Sequence, residues 1–338
     1  MPVKPPSSLG GFVLGSLVVL DHQTAHAKQS TAVARRVELV LNNILNILIP
    51  IYAIVIAAYL MGRFKFPWAS KKLTPLVLHV ALPCLVIRQL ANDRANSTDM
   101  LWMLLAAAMV FGFSTALAII LLKLTRQDIR TYLSAFTLNN MSIGLAVGIL
   151  GFGNNGLALC IGFASIILVA QFTFGHWWYA GNYQWRVLVK EPFIWAFLIA
   201  LGFMFSGIHL PSYVDKTLEQ MGMLTIPLLL LSLGFSLSQI RFNGFIKGMV
   251  LAAIRLTIFV GMSFCTVLLL GLEGESRAIV LLLSVLPAST INILMANQAE
   301  DVDMPPLTMM IMCTNLWMTV ALPIAMILWL PSHAVASH

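Results

Sequence analysis

Of the 338 residues, 59% are hydrophobic and 10% are charged, whereas a soluble domain carries about 25% charged residues. Together with a mean hydropathy of +0.89, this excludes a soluble protein and indicates an integral membrane protein in a lipid bilayer, with room for about ten helices of roughly 20 residues. The net charge of +7 comes from lysines and arginines spread beside apolar segments rather than gathered in one patch, so no nucleic-acid partner is predicted.

Residues 1–37 precede the membrane pattern. Lys4, the apolar run 9–20 and the Ala-His-Ala triplet at 25–27 resemble a signal peptide with an A-x-A cleavage site. A disordered tail, or an upstream start that is not used, is an equally good interpretation. At the other end, residues 331–338 are predicted to be a short tail.

Ten apolar segments bounded by charge, Pro or Gly follow from residue 38 onward. They are 39–62, 73–92, 99–123, 131–152, 156–180, 191–209, 220–239, 247–271, 276–298 and 306–330. Because five is odd, a second group of five would be inverted relative to the first. The second and seventh segments support this with Pro83 and Pro227 at comparable depth. The predicted fold is an all-α polytopic membrane protein with a first five-helix repeat at 38–180 and a second at 181–330.

The fourth and ninth segments carry polar residues and helix breakers in the middle of an apolar span. They are Asn139, Asn140, Ser142, Gly144 and Gly148 in the fourth, and Pro287, Ser289, Thr290 and Asn292 in the ninth. A proline inside a helix costs roughly 3 kcal/mol or more, and hydrocarbon tolerates the freed backbone groups only where they are buried in protein or line a wet cavity. Two interrupted spans at corresponding positions indicate the binding site of a carrier.

The chemistry of such a site favours a small organic anion as substrate. A helix that starts in mid-membrane exposes unpaired N–H groups, equivalent to about half a positive charge, and the amides of Asn140 and Asn292 add neutral donors beside it. A carboxylate matches these donors. The alternative interpretation is that Ser142, Ser289 and Thr290 merely bond across to neighbouring helices.

The distribution of lysine and arginine predicts the orientation. One face collects Arg63, Lys65, Lys71, Lys72, Lys123, Arg126, Arg130, Arg186, Lys190, Arg241 and Lys247; the other collects Arg88, Arg94, Lys216 and Arg277. The first face is therefore predicted to be cytoplasmic, with both termini outside.

Ionisable residues inside the predicted spans are candidates for ion coupling. Histidine is the residue type that most often serves as a proton switch, so His79 is a candidate, although a lone histidine that bonds a neighbouring helix is the alternative. Arg255 is expected to extend toward the cytoplasmic face. No aspartate or glutamate falls at a span centre, so coupling to protons, to sodium or to neither stays open. The four cysteines lie singly in apolar runs, and no cofactor, metal or catalytic residue is predicted.

Three stretches carry a resemblance to a known family. ALPCLVIRQLA, TIPLLLLSLGFSL and SVLPASTINILMANQAEDVDM resemble the auxin efflux carrier family of permeases, and the similarity extends from about residue 44 to 330. The resemblance implies two inverted five-helix repeats, a scaffold domain, and a transport domain in which the broken fourth and ninth helices cross. Plant members bind auxin at that crossing, and bacterial members are associated with malonate, malate and similar anions.

The resemblance also implies a location in the plasma (bacterial inner) membrane and a role for particular residues. The family asparagine of the fourth span matches Asn139 or Asn140. The proline that usually follows it is replaced here by Ala146 or Val147. We therefore expect the fourth-span break to depend on the glycines of that span, Gly144 and Gly148.

Other classes of protein fit less well. A sodium-coupled bile-acid-type symporter shares the crossed broken helices and is the closest alternative. An intramembrane enzyme would need a catalytic set, and the sequence has no HExxH, no paired intramembrane aspartates and no GxSG with a partner histidine. A receptor or scaffold has no reason to interrupt two related spans. The direction of transport and the oligomeric state, a homodimer included, stay open.

Overall fold

The computed structural model describes residues 45, 49–64, 76–92, 97–180, 189, 191–206, 210–238, 244–296, 299 and 301–329. Contacts between Cα atoms divide the chain into Met1–Asn46 and Ile47–His338, and the helices named below all belong to the second unit. The predicted tails at 1–37 and 331–338 lie outside the described residues. So do the basic loop residues Lys65, Lys71, Lys72, Arg94, Arg186, Lys190 and Arg241.

The described part of the chain is almost entirely helical. Its α-helices are α1 (Ile49–Arg63), α2 (Leu82–Asn92), α3 (Ser97–Leu124), α4 (Ile129–Thr137), α5 (Met141–Ala170), α6 (His176–Ala180), α7 (Pro192–Ser206), α8 (Ser212–Met223), α9 (Thr225–Ser238), α10 (Phe245–Leu270), α11 (Gly274–Ser284), α12 (Ile291–Ala296) and α13 (Met304–Trp329). Two π-helical turns, Val77–Ala81 and Gln171–Gly175, lead into α2 and follow α5.

Five helical stretches are long and apolar enough to cross a membrane. They are Thr98–Leu124, Ile143–Tyr179, Ser212–Phe235, Phe245–Leu270 and Met304–Trp329, and shorter apolar helices occur at Ile49–Arg63, His79–Ala91 and Pro192–Phe203. The all-α membrane character predicted from the sequence is thus confirmed. The arrangement of ten spans as an inverted repeat stays a prediction.

Helix α5 contains a reversal of chain direction, at the position where the sequence predicted the connection between the fourth and fifth apolar segments. Gly153 has φ 66° and ψ −154° inside α5, in the left-handed region that glycine adopts without strain. A Cβ on Gly148 would lie 2.7 Å from Cys160 Sγ, although twelve residues of straight helix would separate them by about 18 Å. The chain therefore folds back at Gly153, and α5 consists of a first arm, 141–152, and a second arm, 154–170.

The seventh predicted segment begins earlier than expected, because its charged first turns are helical. Arg88 of α2 forms ion pairs with Asp215 and Glu219 of α8, with N···O distances of 3.2 and 2.9 Å. The distribution of basic residues assigned Arg88 of α2 and Lys216 of α8 to the same membrane face, and the ion pairs connect these two helices. The charged residues before the seventh predicted segment therefore belong to a helix and not to a loop.

Helix ends follow local chemistry. The side chain of Asp128 accepts hydrogen bonds from the backbone N–H groups of Arg130 and Thr131, at 3.0 and 3.1 Å, and so caps the start of α4. Gly271, with φ 62°, ends α10 in the left-handed conformation typical of a residue after a helix. These caps fix where α4 begins and where α10 ends.

Candidate functional site

The two interrupted spans meet at their interruptions. Helix α4 ends at Thr137 and α5 begins at Met141, while α11 ends at Ser284 and α12 begins at Ile291. The segments between them, 138–140 and 285–290, run antiparallel, and we call the pair the crossing. Asn139 pairs with Ala288 across it.

Backbone hydrogen bonds join the two segments of the crossing. Asn140 N donates to Pro287 O at 2.8 Å, and Ser289 N donates to Leu138 O at 2.9 Å. These bonds satisfy groups that a broken helix leaves unpaired, which is the condition for a break inside a membrane. The crossing is therefore a built element and not a local distortion.

The fourth-span break does not depend on Gly144 and Gly148, and that expectation was wrong. Both glycines lie inside the first arm of α5. A Cβ on Gly144 would lie 2.6 Å from Leu283 Cδ2 and 2.9 Å from Leu286 Cδ1, so this glycine allows α5 to pack closely against the end of α11. The break itself is formed by residues 138–140, where Leu138 is extended with φ −109° and ψ 116°.

Arg255 of α10 lies in the crossing, and the expectation that it extends to the cytoplasmic face was wrong. Its exposed fraction is 1%. Nε donates to Ala135 O at 2.8 Å, Nη1 donates to Leu286 O at 3.0 Å, and Nη2 donates to Asn139 Oδ1. Its Cζ lies 4.7 Å from the ring centroid of Phe259. The guanidinium thus binds one carbonyl from each broken helix.

The physical reason for this position is the unpaired carbonyl groups at helix ends. The last four C=O groups of a helix have no partner within it, and together they carry about half a negative charge. Ala135 is in the last turn of α4, and Leu286 follows α11. A guanidinium offers five donors in a fixed fork, so one side chain satisfies carbonyls from both ends.

Thr314 of α13 completes the hydrogen bonding of the crossing from another side. Its Oγ1 accepts from Ala288 N at 3.0 Å and donates to Ile311 O at 2.6 Å. The residue is 4% exposed. Helix α13 therefore holds the ninth-span break in its extended form.

Asn292, whose amide was predicted to be a donor in the ninth span, forms hydrogen bonds between helices. It is 0% exposed, and its Oδ1 accepts from Ser134 Oγ at 2.9 Å and from Gln171 Nε2 at 2.8 Å. Its Nδ2 donates to Ser134 O at 3.2 Å. The side chain links α12 to α4 and to the π-helical turn after α5.

A cavity of about 50 Å³ opens beside the crossing. Its lining consists of Leu82, Asn139, Asn140, Met141, Leu145, Leu168, Gln171, Leu229, Ser232, Leu233, Ser289, Thr290 and Ile291. Its volume accommodates a few water molecules. Part of the lining is the crossing with the helix starts that follow it, part is Leu168 and Gln171 at the end of α5, and the rest comes from α2 and α9.

Four of the eight predicted binding residues line this cavity: Asn139, Asn140, Ser289 and Thr290. Gly144, Pro287 and Asn292 do not line it and lie in or against the crossing. For Ser142 only the backbone, in the first turn of α5, is described.

Gln171 and Ser232 are polar lining residues that the sequence analysis missed. The signal for Gln171 was present, since a glutamine in mid-span is costly unless it has partners. It also begins a π-helical turn, an arrangement frequent at functional sites.

Arg255 binds the helix ends that lead into the breaks, whereas the cavity is lined by the helix starts that follow the breaks. Arg255 binds carbonyls at the ends of α4 and α11, where the helix dipole is negative. Asn140 and Met141, at the start of α5, face the cavity, where the dipole is positive. Among the described residues that line the cavity there is no carboxylate. The local field therefore favours an anion.

His79 lies near this site without reaching it. It belongs to the π-helical turn that leads into α2, one helical turn before Leu82, which lines the cavity. It interacts electrostatically with Glu191, which precedes α7. The predicted coupling role of His79 stays a prediction.

Residues 176–328 match the family model described as membrane transport protein. The matched region extends from α6 through α13 and contains Arg255, the ninth-span break and the α9 wall of the cavity. No curated protein matches the sequence.

Proposed function

We propose that the chain, whose residues 176–328 match the family model described as membrane transport protein, is a secondary transporter of the auxin efflux carrier type that moves small carboxylates by alternating access. Malonate and malate are the first substrates to test. We place it in the bacterial inner membrane.

The observation that carries this proposal is the cavity at the start of α5. It is lined by Asn139 and Asn140, which carry amides, by Ser289 and Thr290, which carry hydroxyls, and by Met141, whose backbone N–H lies in the first turn of α5. All are groups that donate to an oxygen atom. Hydrogen bonds of this kind to a charged partner contribute about 1.5–3 kcal/mol each, enough to hold a carboxylate in a site closed to bulk water.

The lining of the cavity suggests how access alternates. The part formed by the crossing is polar and held by its own hydrogen bonds, whereas α2 and α9 contribute three leucines, Leu82, Leu229 and Leu233, and one serine, Ser232. Because this second part is mostly apolar, few bonds must break when the crossing slides past it. We propose that the crossing and its four helices move as one body against α2 and α9.

Flux of radiolabelled malonate into proteoliposomes tests the proposal. We expect protein-dependent uptake that unlabelled malonate and malate inhibit and that protein-free liposomes do not show. Parallel assays with an inward sodium gradient and with a pH gradient determine the coupling ion. Uptake of a bile acid that requires sodium, without uptake of malonate or malate, would favour the symporter alternative. Uptake of amino acids or cations only would contradict the anion proposal.

A further inference from the structure

We propose that Arg255 is the charge that makes the cavity selective for anions, and that the bound carboxylate is its counter-ion. This inference rests on the proposed function. Arg255 is a positioning residue, because it does not line the cavity. It acts through its electric field and through Asn139, which separates it from the cavity.

The first support is a buried cation that has no anionic partner among the described residues. The guanidinium of Arg255 is 1% exposed, its hydrogen bonds go to neutral oxygen atoms of two carbonyls and one amide, and its Cζ lies over the ring of Phe259. In the part of the chain that the structure describes, no carboxylate lies within 4.0 Å of it, and the ion pairs found there belong to Arg88. An arginine keeps its proton in proteins, so the crossing carries a net positive charge when the cavity is empty.

The second support is the orientation of the Asn139 amide. Arginine has donors and no acceptor, so the amide atom that faces Arg255 must be the oxygen. The Nδ2 end is then turned away, and one of its two hydrogens goes to Leu283 O at 3.2 Å. The second hydrogen remains for the cavity that Asn139 lines. Arg255 thus fixes Asn139 as a donor to substrate.

The third support is the cost of a full charge in a span. The ends of α4 and α11 attract Arg255 with partial negative charges that are spread over their last carbonyls, and the ring of Phe259 adds a cation–π contact. A carboxylate one residue away, behind Asn139, supplies the full negative charge that the described residues around Arg255 lack.

The test measures binding of radiolabelled malonate to purified protein in detergent, with malonamide as a neutral competitor. Arg255→Lys keeps the charge and loses the fork, whereas Arg255→Gln keeps donors and loses the charge. A charge several ångströms away at intermediate dielectric changes anion affinity by roughly tenfold to a hundredfold. We expect this loss in the glutamine variant relative to the lysine variant, with the preference for malonate over malonamide reduced in parallel.

A second pair of variants serves if Arg255→Gln does not fold. Asn139→Asp places a carboxylate against Arg255 as an internal counter-ion, and Asn139→Leu, of similar size, removes the same donor without adding charge. We expect the aspartate variant to be at least as thermally stable as the leucine variant and to bind malonate at least about tenfold more weakly.

The outcomes separate the two proposals. If the parent protein binds malonate and Arg255→Gln binds it as tightly as Arg255→Lys, or Asn139→Asp as tightly as Asn139→Leu, the role of Arg255 is overturned while the transporter proposal stands. If the parent binds neither malonate nor malate and transports neither, the proposed function fails and this inference fails with it.

Discussion

Arg255 and Asn139, 116 positions apart in the chain, are joined by a hydrogen bond from Nη2 to Oδ1 that connects α10 to the break between α4 and α5. Because the same guanidinium also binds Leu286 O, one side chain links both broken helices to a third, continuous helix. The crossing can therefore move only together with this part of α10, or by breaking these bonds. We therefore propose that α10 moves together with the four helices of the crossing in the transport cycle.

Gly144→Ala tests the close contact between α5 and α11. The added Cβ would lie 2.6 and 2.9 Å from methyl groups of Leu283 and Leu286, and overpacking of this kind costs about 1–3 kcal/mol. We expect a lower melting temperature in detergent, measured by tryptophan fluorescence. The matched control is Gly112→Ala in α3, where a Cβ meets nothing within 4 Å and helix propensity favours alanine by up to about 1 kcal/mol. Equal melting temperatures for the two variants would contradict the packing argument.

The positions of both breaks could be predicted from the sequence because hydrocarbon makes polar groups and proline expensive. Asn139 and Asn140 fall in the first break and Pro287, Ser289 and Thr290 in the second. The reversal at Gly153 was also predictable, since a bilayer limits a span to about 20 residues. These features follow from local composition and the thickness of the membrane.

The partners of the breaks could not be predicted in the same way. Arg255 was expected to extend to the surface, but it lies ten residues into α10, or about 15 Å along the axis, which is about half the thickness of a hydrocarbon layer. That depth could be predicted from the sequence. Its binding of Ala135 and Leu286 could not, because it depends on how three distant helices pack. The hydrogen bond between Gln171 and Asn292 could not be predicted for the same reason.

Asn292→Ala is expected to lower stability as well as transport. The change removes the acceptor of Ser134 Oγ and Gln171 Nε2, both buried, and an unsatisfied buried donor costs about 1–3 kcal/mol. Thermal unfolding of the purified variant measures this directly. A companion variant, Gln171→Leu, removes one of the two donors and should cost less than Asn292→Ala. A melting temperature for Asn292→Ala equal to that of the parent would contradict the tie between α12 and α4.

Removing the ion pairs of Arg88 should have only a small effect on stability and transport. Arg88 lies 3.2 Å from Asp215 and 2.9 Å from Glu219, with side chains about a quarter to a third exposed. Pairs in such positions contribute about 0–1 kcal/mol and are weakened by salt. We expect Arg88→Gln to unfold within a few degrees of the parent and to transport malonate normally. A large loss of transport would instead place this helix pair in the moving part of the protein.

The orientation is tested by labelling single cysteines from outside. The structure places Arg130 beside the carbonyls of Trp178 and Tyr179, and Asn155 beside Glu275. The distribution of basic residues predicts the first group to be cytoplasmic and the second to be outside. In a cysteine-free background, Glu275→Cys should react with a membrane-impermeant maleimide in intact cells, and Lys123→Cys should react only after permeabilisation. The reverse pattern would invert the topology without changing the site.

The hydroxyl groups of the cavity allow the sharpest test of substrate contact. Thr290 lines the cavity and is half-buried, and Thr290→Val removes its hydroxyl while keeping its shape. Losing one hydrogen bond to a charged partner costs about 1.5–3 kcal/mol, or roughly a tenfold to hundredfold loss of affinity. We expect the apparent KM for malonate to rise by that factor while the melting temperature stays near that of the parent.

Ser238→Ala is the control for this measurement. Ser238 ends α9, and its hydroxyl donates to Phe235 O at 2.7 Å, away from the residues that line the cavity. Removing it should leave KM unchanged. A raised KM in Thr290→Val with an unchanged KM in Ser238→Ala assigns the cavity to substrate binding. Parental kinetics in Thr290→Val, and also in Ser289→Ala on the same wall, would mean that these hydroxyls serve packing between helices, and the carboxylate would then have to be sought outside the crossing.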